Sequence, residues 1–85
     1  MSELTSMLNI GREMARKLTA VGINSPEQLT AVGSKQAYFM LKEIYPQVCL
    51  VHLYALEGAI SGVAYNQLPV HKKRELKVFS DRLKI

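Results

Sequence analysis

Apolar residues recur every three or four positions at the start of the chain: Leu4, Met7, Ile10, Met14 and Leu18. That spacing lines one face of a helix, but Asn9-Ile10-Gly11 interrupts it with turn-forming residues. The pattern predicts two short helices closed as a hairpin. Ser2 is the expected cap of the first, and the second spans 12–20, ending at a left-handed Gly22 with Ile23 folded back on its last turn. Ser25-Pro26-Glu27-Gln28 then supplies an N-cap, a proline at the first helical position and a capping-box glutamine, so a third helix starts there and stops at Gly33. Ser34 is expected to cap a fourth over 35–45, with Ala37, Met40, Leu41 and Ile44 on one face and Pro46 ending it. Residues 48–61 carry only His52 and Glu57 as strongly polar side chains, which marks the buried centre of a bundle. Within it Gly58 is expected to let another helix approach, and Gly62 to end the segment. A connector over 65–69 delivers Pro69 and a last helix over 70–84. No alternating strand pattern occurs. The expected fold is all-α: a single domain over 1–85, a compact bundle of five or six short helices in a SAM-like arrangement with a helix-hairpin-helix-like N-terminal element.

With 85 residues, 48% of them hydrophobic, the chain can build one small core but has little room for a deep cleft. Its lone cysteine, Cys49, excludes an internal disulfide and reads as a reduced, buried thiol. No apolar run reaches the roughly 18 residues of a membrane span, and Met1-Ser2-Glu3 opens no export leader. A cytoplasmic protein with no membrane association is expected.

Charge changes the picture once it is located. The net charge of +4 resides in one segment: residues 1–70 hold five basic and five acidic side chains, whereas 71–85 hold Lys72, Lys73, Arg74, Lys77, Arg82 and Lys84 against Glu75 and Asp81. On a helical period Leu76, Phe79 and Leu83 form the docking stripe, and Lys73, Lys77 and Lys84 line an adjacent face. Such a row is either a solvated face or an electrostatic footprint for a polyanion.

The turn at Gly11 is the second candidate. The first amides of a helix have no intrahelical acceptor and can receive an anion, and Arg12, Arg16 and Lys17 could add phosphate contacts. Asn9 stands where nucleic-acid-gripping hairpins carry a glycine. Its side chain could cap the helix itself, which favours a structural role for the turn, and Glu13 adds a repelling charge.

Catalysis has little support. His52 and Glu57 lie about 140° apart on one helix and form no acid–base pair. Cys49 and His52 could share a face, yet no further ligand completes a metal site. No glycine-rich nucleotide loop occurs. Neither enzyme activity nor a cofactor or metal is expected. Tyr38, Phe39, Tyr45, Tyr54 and Tyr65 read as core and groove residues, with Tyr65 in its polar connector also a candidate recognition residue.

Two blocks carry a family resemblance. Asn9-Ile10-Gly11, Leu18, Ala20-Val21-Gly22-Ile23 and Ser25-Pro26-Glu27-Gln28-Leu29 resemble the start of the TfoX/Sxy C-terminal domain. Ala37-Tyr38, Val48-Cys49-Leu50, the string Leu53-Tyr54-Ala55-Leu56-Glu57-Gly58-Ala59-Ile60, Gly62-Val63 and Leu68-Pro69, with Lys73, Leu76 and Phe79, resemble its second half. Met7-Leu8 and Arg12 depart from the prolines often found around the turn, and Tyr65 stands where a tryptophan is common. The resemblance implies a small helical domain with a hairpin-like element and a connection to DNA. Longer members carry an N-terminal domain, not found in these residues, and are associated with regulating natural competence.

Two functions follow. In one, the domain is a non-enzymatic accessory module that binds nucleic acid weakly and without sequence preference through Gly11, Arg12, Arg16, Lys17, Lys73, Lys77 and Lys84, in transcription or DNA-uptake regulation. In the other it is a protein-interaction module, a homodimer or an adaptor to a transcription regulator, that uses Met7, Leu8, Tyr65 and Val78. Charge favours the first.

Overall fold

The computed structural model describes residues 3–83; Ser2 and Lys84, named above as a helix cap and a phosphate contact, lie outside them. Every regular element of the described chain is helical: a short 3₁₀ turn (Glu3–Ser6) is followed by α1 (Arg12–Ala20), α2 (Pro26–Val32), α3 (Ser34–Ile44), α4 (Leu50–Ser61), a second 3₁₀ turn (Tyr65–Gln67) and α5 (Val70–Arg82). The expected first helix is thus a single 3₁₀ turn, too short to hold more than Leu4 in the core. The α4 helix starts two residues later than its apolar pattern suggests, because Cys49 takes the extended N-cap conformation.

Local signals otherwise set the helix ends. Ser25 Oγ accepts from the Gln28 amide at 3.1 Å, while Gln28 Oε1 reaches back to the Asn24 amide at 2.6 Å, one residue before the usual capping-box target. The Ile23 amide bonds Leu18 at 2.9 Å across a left-handed Gly22, tucking Ile23 into the core. Gly33, not Ser34, is the N-cap of α3. Ser34 is instead the first helical residue, buried, its hydroxyl donating to Glu57 of α4 at 2.6 Å.

These contacts give helix directions. The start of α3 meets the far end of α4, so the two run antiparallel. Lys35 pairs with Glu75 at 2.6 Å, and the buried hydroxyls of Tyr38 and Ser80 bond at 2.9 Å, so α5 runs parallel to α3 and packs on α4. Leu4, Leu18, Leu29, Tyr38, Leu41, Leu53, Leu56 and Leu76 fill the shared core with no solvent exposure.

One residue joins the chain's beginning to the end of α4. Asn9 has φ 73°, the left-handed region that asparagine enters more readily than other side-chain-bearing residues. Its Nδ2 donates to the carbonyls of Val63 at 2.9 Å and Ala55 at 3.4 Å, and its Oδ1 accepts from the Tyr65 amide at 3.2 Å. The side chain therefore does not cap α1; its hydrogen bonds all go to residues 55–65. Gly58 leaves room for this contact. A Cβ there would collide with the Val63 carbonyl oxygen and lie 2.5 Å from Asn9 Nδ2, so the close neighbour that the glycine admits is a turn and a side chain rather than another helix.

Asn9→Ala removes three hydrogen bonds and leaves a Cβ-bearing residue in the left-handed region, an expected cost of about 2–4 kcal/mol. Asn9→Gly should cost less, because the backbone strain disappears. Asn9→Asp should be at least as damaging as Asn9→Ala, since it aims a carboxylate oxygen at two carbonyls. Urea denaturation of the three variants tests this order, and an Asp variant as stable as the parent would show that the Nδ2 bonds contribute nothing.

Candidate functional site

The residues singled out from the sequence divide between two regions. At the first, the Asn9 side chain holds the turn before α1 against Tyr65, and the next residue in the connector, Asn66, accepts from Lys73 Nζ at 3.4 Å. Gly11, Arg12, Tyr65 and Lys73 therefore gather at one end of the bundle. Gly11 is the N-cap of α1 in extended conformation, and no side chain caps the helix. Nothing lies within 4 Å of where a Gly11 Cβ would stand, so a side chain at the cap position has room. Arg12 is exposed and in no ion pair among the described residues. Leu8 and Tyr65, 48% and 44% exposed, flank the turn. Met7, a candidate partner contact, is instead half-buried and packs against the core.

The last turn of α1 faces a different neighbourhood. Arg16 pairs with Glu13, so the acid expected to repel phosphate neutralises an arginine instead. That contact holds the Glu13 carboxyl below its usual range, first by hydrogen bonding and then by charge. Lys17 Nζ lies 5.3 Å from the centre of the Tyr45 ring, a cation–π contact. Beyond it, Lys42 Nζ donates to the Pro46 and Val48 carbonyls at 2.9 and 2.5 Å, closing the loop into α4. Cys49, expected to be buried, is exposed at the N-cap; the preceding Val48 is the residue that turns inward. The Cys49 amide donates to His52 Nδ1 at 3.0 Å, and the thiol lies 3.5 Å from the same nitrogen. Burial foremost, then the charges of Lys17 and Lys42, holds the His52 imidazole below its ordinary pKa.

Along α5 the basic row is compensated in part. Lys72 and Lys35 both reach Glu75, which lowers that carboxyl, the Lys35 hydrogen bond being the larger cause. Lys77 pairs with Asp81 at 3.0 Å. Exposed pairs of this kind contribute little to stability because solvent screens them, but they remove charge from the face that the sequence marked as basic. Val78 is half-exposed on the outward side. Glu57 accepts from Ser34 at the start of α3 and from Ser61 at 3.2 Å, and sits where the positive end of α3 favours a carboxylate. Among the described residues no cluster of three or more potential ligands could hold a metal, and no helix is long and apolar enough to cross a membrane.

The family model described as the TfoX C-terminal domain matches residues 1–80. The chain belongs to that family. Protein Sxy of Escherichia coli strain K12 is 31% identical over 80 residues, a match that takes in 94% of this chain and 38% of Sxy. This TfoX C-terminal domain therefore spans well under half the length of that relative. The fold is shared with two crystal structures from Listeria monocytogenes, each 41% identical and matched over 95% of this chain. The first, a triclinic form of an uncharacterised protein, has a TM-score of 0.93 with 92% of its chain covered. The second, a tetragonal form of a protein of unknown function, has 0.92 with 99% covered. The family expected from the two sequence blocks is thus the observed one.

Protonating His52 would break its bond from the Cys49 amide and place a cation beside Lys17 and Lys42. The folded state therefore binds this proton less readily than the unfolded chain, and stability rises with pH. The loss begins as pH falls through the unfolded value of about 6.5 and levels off below the lowered folded value. Thermal denaturation between pH 8 and 5 should show this slope, and His52→Gln should flatten it; an unchanged slope in the variant would assign it to other groups.

Proposed function

We propose that this TfoX C-terminal domain is a non-catalytic module that binds nucleic acid weakly and without reading bases, in transcription or DNA-uptake regulation. The phosphates would be held at the end of the bundle where α1 begins. The observation that carries this reading is the direction of Asn9: its amide is committed to Ala55, Val63 and Tyr65, so the first-turn amides of α1 keep no side-chain cap. Uncapped amides with the Arg12 guanidinium beside them form the usual chemistry of a phosphate site, and Lys73 extends it by way of Asn66. Arg16, Lys17 and Lys77 contribute only at longer range, since each already has a partner. Tyr65 offers an exposed ring on which an unpaired base could stack.

A protein partner at the same end is the second reading, favoured by the exposed Leu8 and Tyr65 on either side of the turn. Light scattering and partner titrations address it directly, and a partner contact of this kind would depend on Leu8 and not on salt.

Fluorescence anisotropy with short duplex and single-stranded DNA tests the nucleic-acid reading. With two or three phosphates neutralised, log K should fall with log salt at a slope of roughly −2 to −3. Arg12→Glu with Lys73→Glu should abolish binding. Gly11→Asp is the sharper variant: an N-cap carboxylate should leave stability unchanged or slightly raised while occupying the amides, so binding is lost from a well-folded protein. Binding absent at low salt, or untouched by Gly11→Asp and the double charge reversal, rejects the reading.

A further inference from the structure

We propose that the outward face of α5 is a docking surface for an acidic amphipathic helix of a partner protein, separate from the phosphate-binding end at Gly11. Four residues spaced by four, Val70, Arg74, Val78 and Arg82, form a continuous ridge along this helix. Both valines are exposed, at 67% and 50%, although α5 already buries Leu76 and Ser80 on its opposite side. Their burial is therefore not needed for the fold.

The charge on this face favours one class of occupant. Lys72 and Lys77 are compensated by Glu75 and Asp81, and Lys73 turns toward Asn66 on the flank. Arg74 and Arg82 are in no ion pair among the described residues and are both exposed. The available charge thus consists of two guanidinium groups about two turns apart, each next to an exposed valine. Guanidinium forks receive carboxylates in paired hydrogen bonds, and the valines need an apolar cover. A helix with leucine-like residues along one stripe and Asp or Glu beside it supplies both. A phosphate backbone would satisfy the arginines but leave the valines covered by charge. The 13 residues of α5 measure roughly 20 Å, enough to seat a partner helix of three to four turns.

The probe is a synthetic, side-chain-stapled 16-residue peptide with leucines on one stripe and glutamates flanking it, titrated into the full chain and followed by anisotropy and backbone amide shifts. Saturable binding is expected, with shifts concentrated on α5. Val70→Ser with Val78→Ser should weaken it about tenfold, and Arg74→Gln with Arg82→Gln about fivefold or more, with a leucine-scrambled peptide and a lysine-flanked one binding far less. Urea denaturation verifies that both variants are folded. The valine pair should leave DNA affinity unchanged, so this surface and the phosphate site fail separately. No saturable binding, equal binding of the scrambled peptide, or indifference to the valine pair overturns the proposal. So does displacement of the peptide by a short DNA duplex whose own affinity falls in the valine variant, which would assign the face to nucleic acid.

Discussion

The first turn of this domain has no helix of its own to lean on, and everything at that end depends on where one amide side chain sends its hydrogen bonds. Asn9 engages two carbonyls and one amide that lie 46 to 56 residues away in the chain. It fixes the start of α1 against the end of α4, fixes the connector into α5, and requires a residue without a Cβ at Gly58. Each bond contributes only about 1 kcal/mol net, but all three constrain the same point. The cost of leaving the two part-buried carbonyls unpaired makes the arrangement specific as well as favourable.

The proposed phosphate contact at the turn rests on the same choice. Had Asn9 capped α1, the first-turn amides would already be occupied and the hairpin would be closed to anions. Because the cap position falls to Gly11, the helix start is bare, and the connector anchored by Asn9 delivers Lys73 to the same end. Structural and functional readings of this asparagine are therefore not alternatives: committing the side chain to the core is what leaves the backbone available.

The legible parts of the sequence were local ones. Ser25-Pro26, Gly22, Gly33 and Gly62 punctuate the helices where their backbone chemistry requires, and the apolar stripes of α3 and α5 face the core as their spacing demands, except that Ile44, in the last turn of α3, is exposed. The 3₁₀ character of the opening turn was not legible, because Leu4 and Met7 fit either helical period. Nor was the exposure of Cys49, since an apolar run does not say which of its members turns inward. At the candidate site the residue types were visible, but their pairing was not: Glu13 with Arg16, Lys77 with Asp81, and Lys17 with Tyr45 depend on rotamers and on tertiary neighbours. The positive charge assigned to α5 as a whole is left, once the acidic partners are counted, mainly on Lys73, Arg74 and Arg82.

The shared direction of the helices has an electrical consequence. α1, α3 and α5 all begin near the end of α4, which alone among these four points the other way. Their peptide dipoles add instead of cancelling, and the positive pole falls at the end that holds Gly11, Arg12 and Lys73. A molecule built this way carries a compass needle. In the field of a polyanion it would turn before it touches, so that orientation is settled during approach and the encounter needs fewer unproductive collisions.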